Sequence, residues 1–117
     1  MKTSLEEFNE YRSRMNERIL RANDKVIKRI YNADTNAYNE GALNVKTKEM
    51  LGLVASMVLR CDDCIRYHLI KCNEKGVSRE EVFEVFGIAT LVGGTIVIPH
   101  VRRAVEFWDE MTGDATS

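Results

Sequence analysis

Hydrophobic residues recur at helical spacing along most of the chain, and no stretch shows the strict alternation of a half-buried strand. The first helical segment starts at Ser4-Leu5-Glu6-Glu7, which has the pattern of a capping box with Ser4 as N-cap. Its apolar positions are Leu5, Phe8, Tyr11, Met15 and Ile19. A shorter segment resumes from Val26 to Tyr31, and we expect the polar stretch 32–44 to be one long connection.

The middle of the chain predicts two adjacent helices. The first runs from about Thr47 to Leu59 and is apolar on most of its surface, so we expect it to be central. A break near Arg60 separates it from the second helix. Asp62 and Asp63 suit the first turn of that second helix, where the macrodipole favours negative charge. Gly76 is expected just past its end.

The last third predicts two more helices. Ser78-Arg79-Glu80-Glu81 is another capping box, and the helix that it opens ends or bends at Gly93-Gly94. A final helix is expected to begin near Pro99 or a few residues earlier. The apolar run from Ile88 to Ile98 is well short of the ~20 residues that span a bilayer. We therefore expect it to be a buried segment rather than a membrane anchor.

Together these patterns predict an all-α fold of five to seven helices, with residues 1–117 forming a single domain. The chain has 17 Lys and Arg against 18 Asp and Glu, a formal net charge of −1, and no basic stripe, so nucleic acid is not an expected partner. The N-terminal sequence lacks the features of a secretory signal, so the expected location is cytoplasmic. Oligomerisation is expected, because so small a chain has a limited interior for its apolar segments.

Two thiols and an imidazole form the pattern with the most chemical content. Cys61-Asp62-Asp63-Cys64 is followed by His68, and on a helix the positions i, i+3 and i+7 share one face. Cys61 falls at the start of a predicted helix, where unpaired backbone N–H groups stabilise a thiolate. Glu49, twelve residues before Cys61, is the candidate fourth member. The pattern indicates thiol redox chemistry, although Glu49 can also be read as an exposed acid in a first helical turn.

Other readings of the cysteines fit less well. A zinc site on Cys61, Cys64, His68 and Cys72 is disfavoured, because Cys61 and Cys72 would lie about 16 Å apart along one helix, at about 1.5 Å per residue. A thioredoxin-like site requires strands, and none is predicted. We expect no metal and no cofactor. Cys72 is expected to pack as a small hydrophobe, and His100 to be a surface or interface residue.

The order Glu49, Cys61-x-x-Cys64, His68, Gly76 and the Ser78 helix start resembles the alkylhydroperoxidase D core of the carboxymuconolactone decarboxylase superfamily. The resemblance covers about residues 45–110, and residues 1–44 match only as generic N-terminal helices. It implies a helical protomer that assembles as a homotrimer or homohexamer, with peroxidase activity supported by a dithiol.

The resemblance also implies roles for four residues. Cys64 would be the peroxidatic cysteine that attacks the hydroperoxide, and Cys61 the proton donor and resolving thiol, giving a Cys61–Cys64 disulfide. Glu49 and His68 would form the proton relay. An external dithiol or redox protein would then act as reductant. This chain departs from the family pattern at Asp63, where family peroxidases can carry a second histidine, and an acid there disfavours thiolate formation.

Two other functions remain open. One is the lactone decarboxylation known in the same superfamily, which relies on acid–base groups rather than thiols. The other is a non-enzymatic helical assembly in which the thiols are buried and inert.

Overall fold

A computed structural model describes residues 1–114, and within that range the chain is helical with no strand, which confirms the predicted all-α fold. Within residues 1–114, six α-helices follow one another, with a 3-10 turn before the last. They are α1 (Ser4–Arg21), α2 (Lys25–Ala37), α3 (Val45–Val58), α4 (Asp62–Glu74), α5 (Arg79–Gly93), the 3-10 turn (Thr95–Val97) and α6 (Ile98–Thr112).

Helices α1 and α2 form one compact unit, residues 1–39. The start of α1 differs from the predicted one by one residue. The N-cap of α1 is Thr3 rather than Ser4, because the Thr3 hydroxyl accepts the backbone N–H of Glu6 and Ser4 is already helical. Asp24 caps α2 in the same way, through the N–H of Ile27.

The predicted connection 32–44 is shorter in the structure, because α2 continues to Ala37. Hydrogen bonds between residues one turn apart stabilise this polar end of the helix. The Thr35 hydroxyl donates to the Tyr31 carbonyl, and the Asn36 side-chain amide donates to Asn32. The connection is therefore reduced to the residues between Ala37 and Val45. No residue of α1 or α2 is buried in the isolated chain.

The second compact unit begins at Glu40 and contains the other four helices. Helix α3 packs against α4 and α5, and α4 packs against α6. The core of this second unit is made of apolar side chains from all of its elements. Among them are Leu53, Met57, Ile65, Leu69, Cys72, Val82, Phe86, Ala89, Val97, Ala104, Phe107 and Trp108. The central position predicted for α3 is therefore confirmed.

Turn residues place the start of α4 beside α3. Arg60 takes a left-handed conformation (φ 60°), and Cys61 follows as the N-cap of α4, so the break predicted near Arg60 is confirmed. Gly76 (φ 79°) follows the end of α4, and the second capping box forms between Ser78 and Glu81. Gly94 (φ 87°) ends α5.

The apolar run from Ile88 to Ile98 is not the buried segment that the sequence predicts. Leu91 is 84% exposed and Val92 is 69% exposed, while Ala89 and Val97 face the core. Leu59 at the end of α3 is 77% exposed as well. The isolated protomer thus leaves one side of its apolar helices open, because a helix in a four-helix unit can bury only one of its faces. Across residues 1–114, no helix has both the length and the hydropathy needed to cross a membrane.

Candidate functional site

Cys61 and Cys64 meet at the first turn of α4. The N-cap position of Cys61 directs its side chain back over the helix start, where its sulfur accepts the backbone N–H of Cys64 at 3.3 Å. The two sulfurs lie 2.7 Å apart, and both cysteines are free thiols. Cys64 is exposed and Cys61 is half-buried. The pair is thus accessible from outside and close enough to be joined with little backbone movement.

The environment of Cys64 favours its protonated form. Desolvation of the thiol is the largest cause, followed by the hydrogen bond and the charge of Cys61 and then the charge of Asp63, and together they raise the Cys64 pKa to about 11. The effect expected for an acid at position 63 is therefore present. A reaction through a Cys64 thiolate needs a nearby group that accepts the thiol proton.

Glu49 and His68 form a buried acid–base pair in the same unit. Oε1 of Glu49 lies 2.9 Å from Nδ1 of His68, and only 3% of Glu49 and 8% of His68 are exposed. The reading of Glu49 as an exposed first-turn acid is therefore wrong. A buried carboxylate is costly without a partner, and the imidazole supplies one. With the proton on Nδ1, Nε2 of the neutral ring is left as the basic nitrogen.

Helix geometry places the His68 member of the pair on the same face of α4 as Cys64. Glu49 lies on α3, and its partner His68 lies on α4, one turn after Cys64. Residues four apart are neighbours on a helix surface, so His68 and Cys64 share one face of α4. The edge of the Tyr67 ring packs against the His68 imidazole, with ring centroids 5.2 Å apart. The structure thus brings the four predicted site residues to one side of the α3–α4 pair.

Cys72 packs in the core as predicted. It is fully buried, and burial together with the charge of Glu49 raises its pKa to about 12. A fully buried thiol that is held in its protonated form and is closed to solvent is a poor nucleophile. Cys72 is therefore a core residue beside the acid–base pair rather than a third redox thiol.

A second carboxylate–imidazole pair lies at the start of α4, and the sequence patterns did not indicate it. Oδ1 of Asp62 lies 2.7 Å from Nδ1 of His100, and Oδ2 of Asp62 accepts Nε of Arg103 at 2.9 Å. His100 is thus partly buried against α4, through a contact with Asp62 that the sequence did not predict. Positions 62 and 100 are 38 residues apart, so no local periodicity could have paired them.

Within the part of the chain that the structure describes, no three His, Cys, Asp or Glu side chains come together in a way that could hold a metal ion. Every buried side-chain nitrogen or oxygen there has a hydrogen-bond partner. The residues that do come together offer two adjacent thiols for two-electron redox reactions and an acid–base pair for moving a proton.

Comparison with known proteins places the chain in a family with this helical architecture. The model of the carboxymuconolactone decarboxylase family matches residues 24–107, which is most of the chain, and the protein belongs to that family. The matched region includes all four helices of the second unit up to Phe107. The predicted superfamily is therefore confirmed, and the match begins at residue 24 rather than near residue 45, so that it also includes α2.

Two solved structures and one curated protein illustrate the relationship. A crystal structure of TM1620 from Thermotoga maritima is 54% identical, with a TM-score of 0.90 over 92% of this chain and 94% of that one. A second TM1620 structure is 54% identical with a TM-score of 0.88, covering 92% of this chain and 91% of that one. It is described as a family member with a suspected part in the antioxidative response. Uncharacterized protein 4 in cox locus of Paracoccus denitrificans is 25% identical over 76 residues, covering 65% of this chain and 68% of that protein.

Proposed function

We propose that this protein is a thiol-dependent peroxidase, or more broadly a disulfide oxidoreductase, that reduces hydroperoxides through Cys61 and Cys64. The observation that carries the proposal is the contact of two free thiols, 2.7 Å apart, at a helix start in the unit that holds the buried Glu49–His68 pair. Similarity to the Thermotoga maritima protein, which is described as having a suspected part in the antioxidative response, supports the same proposal.

The reaction begins with Cys64. Its thiolate attacks one oxygen of the hydroperoxide, so that an S–O bond forms, the O–O bond breaks and the alcohol leaves after taking up a proton. Cys64 is now a sulfenic acid and the peroxide has gained two electrons. The Cys61 sulfur then attacks the Cys64 sulfur, which forms the disulfide and releases water. An external dithiol or redox protein returns both sulfurs to thiols by disulfide exchange.

Glu49 and His68 move the proton in this scheme. Because the Cys64 pKa is raised to about 11, its thiol must lose a proton before it can attack. His68, oriented by Glu49, accepts that proton directly or through a water and returns it to the leaving alcohol. The exposed Cys64 gives the substrate access, and the half-buried Cys61 is held in place by the Cys64 N–H as the resolving thiol.

The proposal extends to the setting of the protein. In a reducing compartment such as the cytoplasm, the pair would be kept as thiols between turnovers, so the disulfide is transient. We also propose a homo-oligomer, a trimer or a hexamer. The exposed apolar side chains of the Ile88–Ile98 run and Leu59 would be covered by neighbouring copies.

The proposal is tested by treating the reduced protein with a small excess of an organic hydroperoxide, counting the remaining thiols and mapping the linkage by peptide mass spectrometry. We expect rapid loss of two thiols with a Cys61–Cys64 linkage. Cys64→Ser should abolish the reaction, while Cys72→Ala, which removes the buried third thiol, should keep it. Three thiols that persist in the wild-type protein after long exposure would refute the peroxidase.

Lactone decarboxylation is the second candidate, and the family match together with the Glu49–His68 pair favours it. Such a reaction uses acid–base groups and needs no thiol. The double variant Cys61→Ser with Cys64→Ser separates the two functions. A lactone activity that survives in the double variant and disappears in His68→Gln would establish decarboxylation, whereas hydroperoxide reduction requires both sulfurs.

A further inference from the structure

One of the two residues between the cysteines, Asp62, is bound by side chains of α6. Asp62, the first residue of α4, directly follows the N-cap Cys61. Its two carboxylate oxygens contact different side chains of α6. Oδ1 lies 2.7 Å from Nδ1 of His100, and Oδ2 accepts a hydrogen bond from Nε of Arg103 at 2.9 Å. A terminal nitrogen of Arg103 also lies 3.3 Å from the His100 ring. The three side chains thus form one cluster, defined here as the Asp62 cluster.

This cluster keeps Asp62 charged. Burial alone would raise the Asp62 pKa, but the hydrogen bonds and charges of His100 and Arg103 outweigh burial and hold the pKa below its usual range. The cluster is only partly screened by solvent, since the Asp62 side chain is 34% exposed and that of His100 is 16% exposed. A carboxylate at this position is therefore ionised whenever the protein is folded at neutral pH.

An ionised carboxylate beside two thiols opposes formation of their thiolates, because like charges repel. Asp63 shows this effect, since its charge contributes to the raised Cys64 pKa. The charge of Asp62 is instead directed at α6 and offset by the guanidinium of Arg103. The same contacts tie the first turn of α4, and with it the Cys61 N-cap, to α6.

We propose that His100 and Arg103 are positioning residues of the dithiol site, which bind and neutralise Asp62 so that its charge does not suppress the reactivity of Cys61 and Cys64. Arg103 supplies the charge, and His100 fixes the direction of the carboxylate. The proposal rests on the dithiol being the redox centre of the proposed peroxidase. It makes α6, which carries no residue of the Cys61–Cys64–His68–Glu49 set, part of the machinery that sets thiol reactivity.

The test measures thiol reactivity without a hydroperoxide. The reduced, folded protein is alkylated with iodoacetamide from pH 7 to 10, and the rates at Cys61 and Cys64 are followed separately by peptide mass spectrometry. Arg103→Gln should slow alkylation of the pair at pH 8 by about three- to tenfold, which corresponds to a rise of about half to one unit in thiol pKa. Arg103→Lys should recover part of the rate, because it restores the charge but not the planar geometry.

Removing the carboxylate as well distinguishes a charge effect from a loss of structure. Asp62→Asn should alkylate at least as fast as the wild type, and Asp62→Asn with Arg103→Gln should return to near the wild-type rate. His100→Gln should slow the reaction less than Arg103→Gln does. Arg102→Gln is the matched control on α6, since Arg102 is exposed and is not a member of the Asp62 cluster, and it should leave the rates unchanged.

Two results would overturn the proposal: wild-type rates in Arg103→Gln, or a double variant as slow as Arg103→Gln alone. The second result would mean that α6 supports the site only structurally. Thermal unfolding of each variant identifies those that fold. If Arg103→Gln does not fold, the comparison of Asp62→Asn with the double variant provides the test. Failure of the peroxidase proposal is seen separately, as wild-type thiols that alkylate but are not oxidised by hydroperoxide.

Discussion

At the scale of single residues, the Glu49–His68 contact supplies the proton acceptor that the proposed dithiol chemistry needs. Both side chains are almost fully buried, and each satisfies a polar group of the other. In the proposed mechanism, the pair would contribute to stability and to proton transfer through the same hydrogen bond. Variants that separate charge from hydrogen bonding can measure the two contributions.

We predict that Glu49→Gln and Glu49→Ala differ in stability but resemble each other in activity. Glu49→Ala leaves the His68 Nδ1–H without its acceptor and should lower the free energy of unfolding by about 1–3 kcal/mol, while Glu49→Gln retains an acceptor oxygen and should cost less. Both should slow Cys64 oxidation by hydroperoxide, on the order of 10²-fold, because His68 loses its charged partner. Urea unfolding and stopped-flow thiol oxidation measure the two effects.

Glu84→Gln serves as the control for those variants, since Glu84 is an exposed acid on α5. It should change neither quantity. Oxidation at the wild-type rate in Glu49→Gln would remove Glu49 from the proposed relay and leave it a structural residue.

At the scale of helices, the end of α5 is closely packed against the 3-10 turn that precedes α6. A Cβ at Gly93 would lie 2.5 Å from Cγ2 of Val97, which is fully buried, and 3.7 Å from the Cα of Val58 on α3. The missing side chain of Gly93 thus allows α5 to approach the 3-10 turn before α6. Gly87, in the same helix, has nothing within 4 Å of the position that a Cβ would take.

Alanine at these two glycines should have opposite effects on stability. Gly93→Ala should destabilise the protein by about 1–3 kcal/mol, because Val97 or the backbone must move to relieve the overlap. Gly87→Ala should stabilise it by up to about 1 kcal/mol, since alanine is the better helix former and the position is open. Urea denaturation of both variants measures the difference, and equal stabilities would contradict the packing described for Gly93.

At the scale of the whole molecule, the fold buries a thiol that water would normally reach in the unfolded chain. The Cys72 pKa of about 12 in the folded protein lies above the ordinary value of 9.0. The folded state therefore holds the proton more tightly than the unfolded state does. The resulting stabilisation is fully present below about pH 9 and is lost as pH rises toward 12.

We predict that alkaline pH destabilises the wild-type protein more than Cys72→Ala. Between about pH 9 and 12 this single group should lower the free energy of unfolding by up to roughly 1.4 kcal/mol per pH unit. The Cys72→Ala variant lacks the group, so it should be less stable at pH 8 but lose less between pH 8 and 10.5. Urea unfolding at the two pH values tests this, and equal losses in the two proteins would refute it.

The helical fold was predictable because its information is local. Apolar spacing, the Ser78–Glu81 capping box and the glycines after α4 and α5 act over a few residues, and the structure confirms each of them. The ends of helices were less predictable where several neighbouring polar residues could each cap or end the helix. Thr3 rather than Ser4 caps α1, and α2 runs on through Asn32–Ala37 because its side chains bond within the helix.

In the candidate site, too, some features follow from local sequence and others only from tertiary contacts. The spacing of Cys61, Cys64 and His68 along one helix is a local pattern, and the sequence alone determined it. Only the tertiary structure decided that Glu49 is buried against His68 and that His100 and Arg103 contact Asp62, because these contacts join residues on different helices that are 19 or more positions apart in sequence. The physical reason is that periodicity specifies which face of a helix is apolar, whereas packing specifies which helices meet and which polar groups must find partners there.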